Sequence, residues 1–350
     1  MSGVTLTVDG PAWRTHLRHL ADTTPGLVPV AKGNGYGFGL DTLAREAQRL
    51  GVDTIAVGIP GEVALVRDHF DGDIVILNPW SADDPVAVEV AADPRVISTV
   101  SRVDDLARLA GAEGRPRVLV EVLTSMRRHG LAPTDLAKVN ELGDAVSFEG
   151  WVIHLPHVAD GRTAEAEQLA AACNAVRSAP LWFSHLAGDD AARIATGLGT
   201  THRLRIGTNL WLGAPATRSA TTTVLDVHPV RRGERVGYWR RRVPADGWLV
   251  IVAGGTANGI GMEAPTSARS ARSRVISVAT GSLAALGRAL SPFTIDGKKR
   301  WFAEPPHMQS SMVLLPGSAT PPAVGDQLPV EVRLTTAQVD QLIITDDAGE

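Results

Sequence analysis

The sequence predicts a closed (β/α)8 barrel followed by a mostly β C-terminal domain. Three observations carry that expectation. Eight short β-rich runs recur in the first two thirds, helical stretches separate them, and the pattern changes after about residue 215. The runs are Leu27–Lys32, Asp53–Gly58, Asp73–Asn78, Arg95–Val100, Arg117–Leu123, Phe148–Leu155, Leu181–Ala187 and the shorter His202–Ile206. Between them lie "DTLAREAQRLG", "GEVALVRDHF", "DDPVAVEVAA", "VDDLARLAG", "PTDLAKVNELGDAV", "AEAEQLAAACNAVRS" and "DDAARIATGL". These stretches are Ala/Leu-rich at helical spacing, and several open on Asp or Pro. Strand–helix alternation demands parallel pairing and right-handed crossovers. Eight such units close a barrel; an open doubly wound sheet is the alternative for the same alternation.

After residue 215 come "TTTVLDVHPV", "GWLVIVAGG", "SRVISVAT", "SSMVLLPG" and "LPVEVRL", short strands parted by Gly, Pro and Arg. They predict a β-rich domain over 216–350, joined near "GAPATRSA" (213–220) to a barrel over 11–215. "TLTVDG" (5–10) is a strand outside the barrel count and is expected to join that second domain.

Composition narrows the functions. A net charge of −4 without a dominant basic run argues against nucleic acid as partner. One cysteine, Cys173, excludes an internal disulfide and fits a reducing compartment. "MSGVTLTVDG" has neither the basic nor the apolar region of a signal peptide, and no apolar run reaches the roughly 20 residues of a membrane span. A soluble, cytoplasmic protein is expected. The arginines between Arg231 and Arg242 read as a solvated basic face, an entrance for anions or a subunit contact.

"VPVAKGNGYGFG" (29–40) ends an apolar strand on Lys32, at the C-terminal strand ends where such barrels place their chemistry. By position alone Lys32 is a turn lysine or a nucleophile. The glycines fit no Walker motif, because the lysine precedes them, and no dinucleotide fingerprint, because Phe38 stands where the third glycine belongs. A lysine before a Gly-rich, Tyr-containing turn suits a Schiff base to a carbonyl cofactor whose phosphate is held nearby.

"VAKGNGYGFG" resembles the cofactor-lysine motif of the alanine racemase family, fold-type III enzymes that use pyridoxal 5'-phosphate. The resemblance implies a Schiff base on Lys32, which also acts as one of two racemase bases, and a phosphate contact from Tyr36. In "TSMRRHG", Arg128 matches an arginine near the cofactor's phenolic oxygen, and Glu121 stands where a carboxylated lysine often supports it. "WVIHLP" places His154 where a histidine stacks on the pyridine ring, and "FSHLAGDD" places His185 at the matching end of the seventh strand. In "LRIGTNLWLG", Arg205 matches the arginine facing the pyridine nitrogen, while Gly207 and Thr208 offer amides to the phosphate. Such an arginine does not readily give up a proton, which favours racemisation over transamination. Met308 matches a residue whose amide meets the substrate carboxylate. A small amino-acid substrate and a homodimer with shared active sites are also implied.

Taken singly, these residues have plainer readings. His154 or His185 alone is a hydrogen-bonded core histidine, Arg205 an ion-pair partner. His154-x-x-His157 lacks a third metal ligand. Their joint placement at successive strand ends favours function.

The sequence also departs from the family. Thr256 in "GGTANG" replaces the opposite-face catalytic tyrosine, and Asn258 a neighbouring aspartate. A threonine hydroxyl is too weak an acid to serve that face directly. The chain has two tyrosines, so Tyr238 is the one that remains for recruitment. "PHMQSSMV" keeps Met308 but carries His307 and Gln309 beside it. Asp189 takes the place of a phosphate-binding serine, and the C-terminal phosphate tyrosine is absent from "QLIITDDAGE". Three functions follow: a racemase-like enzyme with altered or impaired racemisation, a diverged member that performs one-base chemistry or only binds, and an unrelated barrel enzyme whose Lys32 attacks a carbonyl substrate.

Overall fold

The computed structural model describes residues 3–112, 114–142, 145–157, 160–262 and 289–345. The chain packs as two units, Arg14–Gly213 and Met1–Trp13 with Ala214–Glu350. Strand β1 (Val4–Asp9) and helix α1 (Gly10–Asp22) open it. The barrel unit continues through β2 (Leu27–Pro29), α2 (Leu40–Leu50), β3 (Thr54–Val57), α3 (Val63–Arg67), β4 (Asp73–Pro79) and α4 (Pro85–Val90). It goes on with β5 (Val96–Val100), α5 (Val103–Ala110), β6 (Arg117–Val122), β7 (Ser147–His154) and α6 (Arg162–Val176). It ends with β8 (Leu181–Ser184), α7 (Gly188–Gly197), β9 (His202–Ile206) and α8 (Thr208–Leu212).

The eight strands pair in parallel in the order β2-β9-β8-β7-β6-β5-β4-β3. A Val30–Ala56 bridge, with Ala31 N donating to Ala56 O at 2.8 Å, brings the two ends of that order together. The barrel expected from the alternation is therefore present. Its first strand is shorter than expected: the regular ladder stops at Pro29, and Lys32 lies just beyond the closing contacts.

The strands read as near-continuous apolar runs because both of their faces are covered. Val28, Val30, Ala56, Val75, Ile97, Leu119, Val152 and Trp182 fill the interior. Val118, Val120, Val122, Trp151, Ile153 and Leu204 pack outward with the helix layer. Side chains alternate faces along a strand, so Leu119 sets Glu121 inward, and Val152 sets His154 inward. The same parity carries Val28 and Val30 on to Lys32, and Leu204 outward leaves Arg205 inward.

Charge pairs close the N-terminal strand ends. Arg117 donates to both Asp73 carboxylate oxygens at 2.7 and 2.8 Å and to Glu149 at 2.9 Å, which pushes its pKa upward. Arg203 clamps Asp53 at 2.7 and 2.9 Å and lies over the Trp182 ring. One expected helix takes another form: Pro133–Leu142 winds as 3-10 turns. In its weakly amphipathic "PTDLAKVNEL" the buried side chains among the described residues are Leu136 and Val139, a narrow stripe for a longer α-helix.

In the β unit, β10 (Arg218–Val230), β11 (Arg235–Val236), β12 (Arg241–Arg242), β13 (Gly247–Ala253), β14 (Leu290–Ile295), β15 (Lys298–Phe302), β16 (Ser310–Pro316), β17 (Gln327–Pro329) and β18 (Gln341–Thr345) follow. The main sheet runs β14-β15-β16-β13-β10-β1-β18, with β17 also on β10. The long β10 organises it, pairing with β1 and β17 through its first half and with β13 through its second. The N-terminal strand thus pairs with β10 and β18. Val4, Val224, Val250, Val252, Phe293 and Val313 form the core. The expected strand "SRVISVAT" lies outside the described residues. Among the described residues no helix is long and apolar enough to cross a membrane.

Arg117 is the bolt of the barrel's N-terminal end. Arg117→Met should lower stability by about 1–3 kcal/mol, because two partly buried carboxylates lose charged hydrogen bonds. Urea unfolding followed by tryptophan fluorescence measures it; an unchanged midpoint would show the clamp to be dispensable.

Candidate active site

At the opposite, C-terminal strand ends the positive charges are not paired off. Arg205 is buried, and its Nη2 lies 3.3 Å from His154 Nδ1. A guanidinium only donates, so His154 Nδ1 must accept and the imidazole is neutral. Burial, then the charges of Arg205 and Arg128, push His154 down to about 2. Burial also pulls Arg205 down to about 10, with Glu121 opposing and Arg128 reinforcing. The Arg205 Nε is buried and has no hydrogen-bond partner. A buried donor left unpaired costs free energy, so it marks a place for an acceptor.

Lys32 stands open at this rim. Partial burial of its amine is the main cause that lowers its pKa; Arg128 and Arg205 lower it further and Glu62 opposes them. Glu62 is itself buried and accepts from three backbone amides: Gly33 at 2.7 Å, Gly58 at 2.6 Å and Ile59 at 3.2 Å. It therefore ties the residue after Lys32 to the end of β3.

The glycine turn serves Tyr36. Asn34 Oδ1 accepts from Tyr36 N at 3.1 Å and holds this residue at φ 55°, a left-handed conformation costly for a tyrosine. The buried ring delivers its hydroxyl to Thr208, with which it shares a hydrogen bond, and burial pushes the phenol up to about 12. A Cβ at Gly207 would come within 2.1 Å of the Tyr36 hydroxyl, so only glycine fits there. Tyr36, Gly207 and Thr208 thus meet at one point.

His185, also at positive φ (61°), faces His154 at 5.3 Å between ring centroids. Its pKa is pushed down to about 4, by burial first and then by His157 and Arg205. His157 Nδ1 lies 3.3 Å from His185 Nδ1. No group of three or more metal-ligating side chains occurs among the described residues. Five non-glycine residues there have positive φ, and three of them, Tyr36, Arg127 and His185, belong to this rim. Strain of this kind concentrates at functional sites.

The loop after β6 carries Arg128, which is exposed. Thr124 Oγ1 donates to the His154 carbonyl, and Ser125 N and Oγ donate to Glu165 of α6, which docks the loop on its neighbours. Among the described residues no hydrogen bond or ion pair joins Glu121 to Arg128 as expected. Strand parity turns Glu121 into the barrel, where Ser101 Oγ donates to it at 2.9 Å and its charge bears on Arg205. Asp189 is exposed in the first turn of α7.

The remaining candidates lie in the β unit. Thr256 opens a 3-10 turn and donates its amide to the His307 carbonyl at 2.8 Å. Asn258 pins that turn, accepting from Gly255 N and donating to Gln338 O and Asp340. Tyr238 is 83% exposed, and its ring lies 4.5 Å from that of His307. Met308 is exposed, and its carbonyl accepts from Ala257 N.

A barrel with a strand-end lysine, a glycine turn presenting a tyrosine and a β-sheet unit defines a class of enzyme scaffold. The family model described as the alanine racemase N-terminal domain matches residues 8–215. The chain belongs to the alanine racemase family. It is 28% identical over 276 residues to the alanine racemase of Nitratidesulfovibrio vulgaris Miyazaki F, covering 71% of this chain and 73% of that one. With the Hildenborough strain's enzyme it shares 30% identity over 260 residues, 66% of this chain and 68% of the other. Its fold is similar to that of alanine racemase from Bartonella henselae, described with covalently bound pyridoxal phosphate, at a TM-score of 0.70 and 17% identity. That match covers 95% of this chain and 91% of the other. The enzyme from E. faecalis gives 0.65 at 20% identity, over 93% and 88%.

Sequence reasoning missed Glu62, although "GIPGE" carries a cue: a carboxylate just past a Pro-Gly turn readily folds back on strand-end amides. Four lysines make Lys32 easy to follow by mass-resolved amine labelling. Lys32 should react at a lower pH than Lys138, Lys298 or Lys299. Because Glu62 raises the Lys32 pKa, Glu62→Gln should move its labelling midpoint further down; an upward move would show that the variant has merely opened the site to water.

Proposed function

We propose that this protein is a pyridoxal-phosphate-dependent amino-acid racemase, with Lys32 as its Schiff-base lysine and a small amino acid of the alanine class as substrate. The observation that carries the reading is the convergence of Lys32, the Tyr36–Gly207–Thr208 point, and the unpartnered buried Nε of Arg205 on one barrel rim. These residues fit the cofactor: an amine of lowered pKa for its aldehyde, hydroxyls and amides for its phosphate, and a buried donor for its ring nitrogen. Bound there, the cofactor would supply electron withdrawal that makes the substrate's α C–H bond acidic.

The chain's own residues divide the remaining work. Tyr36, Gly207 and Thr208 would hold the phosphate, while Asp189, exposed on α7, offers no donor. Arg205 would donate a hydrogen bond to the ring nitrogen and keep its proton. His154 and His185, both neutral at pH 7, would line the site without adding charge. Arg128 would serve the phenolic oxygen and the substrate carboxylate. Lys32 as a free amine would take the α-proton. A homodimer and a cytoplasmic location complete the reading; the buried thiol of Cys173, pushed up to about 12 by burial, is unreactive.

A second reading, one-base chemistry without inversion, is favoured by one observation: Thr256 stands where the family's opposite-face tyrosine would. The two part in deuterated water. With added pyridoxal phosphate the protein should show a visible band that borohydride traps and Lys32→Ala abolishes. D- and L-alanine should then gain α-deuterium and interconvert, and Lys32→Ala should lose at least about 10³-fold in rate. Exchange without interconversion would select one-base chemistry, and no band at saturating cofactor would overturn both readings.

A further inference from the structure

Arg128 reaches the barrel rim from the loop after β6, and its side chain is exposed. Among the described residues no hydrogen bond or ion pair holds its guanidinium. Beyond the burial that lowers each of them most, its charge still lowers the pKa of Lys32, Arg205 and His154, which places it in their company. A long side chain on an unanchored loop would lose that position to its own freedom. What sets the guanidinium is the backbone beneath it.

That backbone is fixed from both ends. At the far end Leu123 N donates to Leu131 O at 2.9 Å, and Leu131 N donates to Glu121 O at 2.8 Å. A Cβ on Gly130 would come within 2.3 Å of the Leu123 nitrogen, so the returning chain passes too close for any residue but glycine. At the near end Thr124 Oγ1 donates to the His154 carbonyl at 2.8 Å. Arg127 N then closes a turn on Thr124 O at 2.9 Å, and Arg127 takes a φ of 51° that redirects the chain just before Arg128. Between these points Ser125 gives both its amide and its hydroxyl to Glu165, one to each carboxylate oxygen, the hydroxyl at 2.7 Å.

Glu165 is half-buried in the first turn of α6, where three rim loops meet. Arg162 Nη1 donates to the carbonyls of His157 at 3.0 Å and His185 at 2.8 Å, and Thr163 Oγ1 donates to Asp190 at 3.1 Å. The loops after β6, β7 and β8 are thus tied to one short stretch of helix. An acidic residue in a first helical turn has a plainer use, because it complements the helix dipole. That use needs no partner 40 residues away. Here both oxygens accept from Ser125, and a pair of charge-assisted bonds fixes a direction as well as a distance.

We propose that Glu165 is a positioning residue: by holding Ser125 it keeps Arg128 at the Lys32 rim, where the carboxylate of an amino-acid substrate binds. The inference rests on the racemase reading above and adds to it a residue that touches neither cofactor nor substrate. A guanidinium on a fixed backbone presents two parallel N–H groups to a carboxylate at once. On a released loop the same side chain meets that carboxylate only part of the time. The contact is made alike before and during proton transfer, so it governs KM and leaves kcat in place.

The test compares full-length wild type with Glu165→Ala, Ser125→Ala, Arg128→Gln and the double variant Glu165→Ala/Arg128→Gln. Its first readout needs no turnover. After burial, Arg128 is the largest cause that lowers the Lys32 pKa, so its withdrawal in Glu165→Ala should move the Lys32 amine-labelling midpoint to higher pH. Loss of the Glu165 charge by itself would move the midpoint the other way. The upward move should be absent when Glu165→Ala is made in the Arg128→Gln background; a move that persists there reports water entering the site and would overturn the inference. With saturating pyridoxal phosphate, Glu165→Ala should raise KM for alanine about 10-fold at nearly constant kcat, and should add nothing to Arg128→Gln. Ser125→Ala keeps one of the two bonds and should show smaller changes in the same directions; it decides the matter if Glu165→Ala loses the wild-type circular dichroism. An unmoved midpoint in the folded variants, or a fall in kcat at constant KM, would overturn the inference and leave the racemase reading standing. If wild type shows no α-exchange while the midpoint moves as expected, the racemase reading falls and the positioning of Arg128 stands.

Discussion

The barrel unit is organised around positive charge that its fold buries or crowds without neutralising. Arg205 is buried inside the strands, and after burial itself the charge of Arg128 lowers the pKa of both Arg205 and Lys32, with Arg205 also acting on Lys32. Glu121 and Glu62 answer part of that charge, but neither ends in an ion pair with a cation: one accepts from Ser101 and the other from three amides. The N-terminal strand ends show the contrast. There Arg117 and Arg203 each meet a carboxylate through two hydrogen bonds. A barrel that pairs its cations at one end can do so at the other, and leaving them unpaired keeps a site ready for an anion. The neutrality of His154 and His185 comes first from burial, and the same field adds to it, since further protons there would add like charge.

Much of this was legible in the sequence because period 2 and period 3.6 are local properties. Eight strands and most helices fall where hydrophobic alternation puts them, and the parity of Val28-x-Val30-x-Lys32 or Leu119-x-Glu121 already tells which side chains face the interior. Lys32 stands out in the sequence because it ends a strand before a distinctive turn, and Tyr36, Arg205 and Thr208 enter through the family resemblance which that turn carries. Partnerships set by distant segments were not legible. Glu121 was expected at Arg128, seven residues on, yet its parity delivers it to Ser101, just past the end of β5. No local pattern reveals that Glu62 would reach Gly33, 29 residues back. The 3-10 form of Pro133–Leu142 was equally hidden, because an apolar stripe that narrow suits either helix.

The run of glycines after Lys32 acquires its meaning at Tyr36. Its work is to let a tyrosine occupy the left-handed region so that the hydroxyl can swing back to Thr208 over Gly207. Such a conformation costs about 1–2 kcal/mol, and the Asn34 side chain, by accepting from the Tyr36 amide, offsets part of it. The turn and Glu62 both act beside the same lysine: one brings Tyr36 to Thr208, the other fixes the backbone of Gly33. Lys32 is therefore held by its neighbours along the chain, while its own side chain stays free to react.

The β unit solves a different problem with similar means. An unsupported histidine on a surface turn would sample many rotamers and both tautomers. Glu304 removes that freedom. It is buried, its remaining lone pairs are satisfied by the 238 and 239 amides, and the bond left over faces a single ring nitrogen. Burying an anion is costly unless it is hydrogen-bonded, and Glu304 meets that cost with three donors. Tyr238 and Thr256, the residues the sequence brings forward, then act through their positions around His307, one on the ring face and one on its backbone carbonyl.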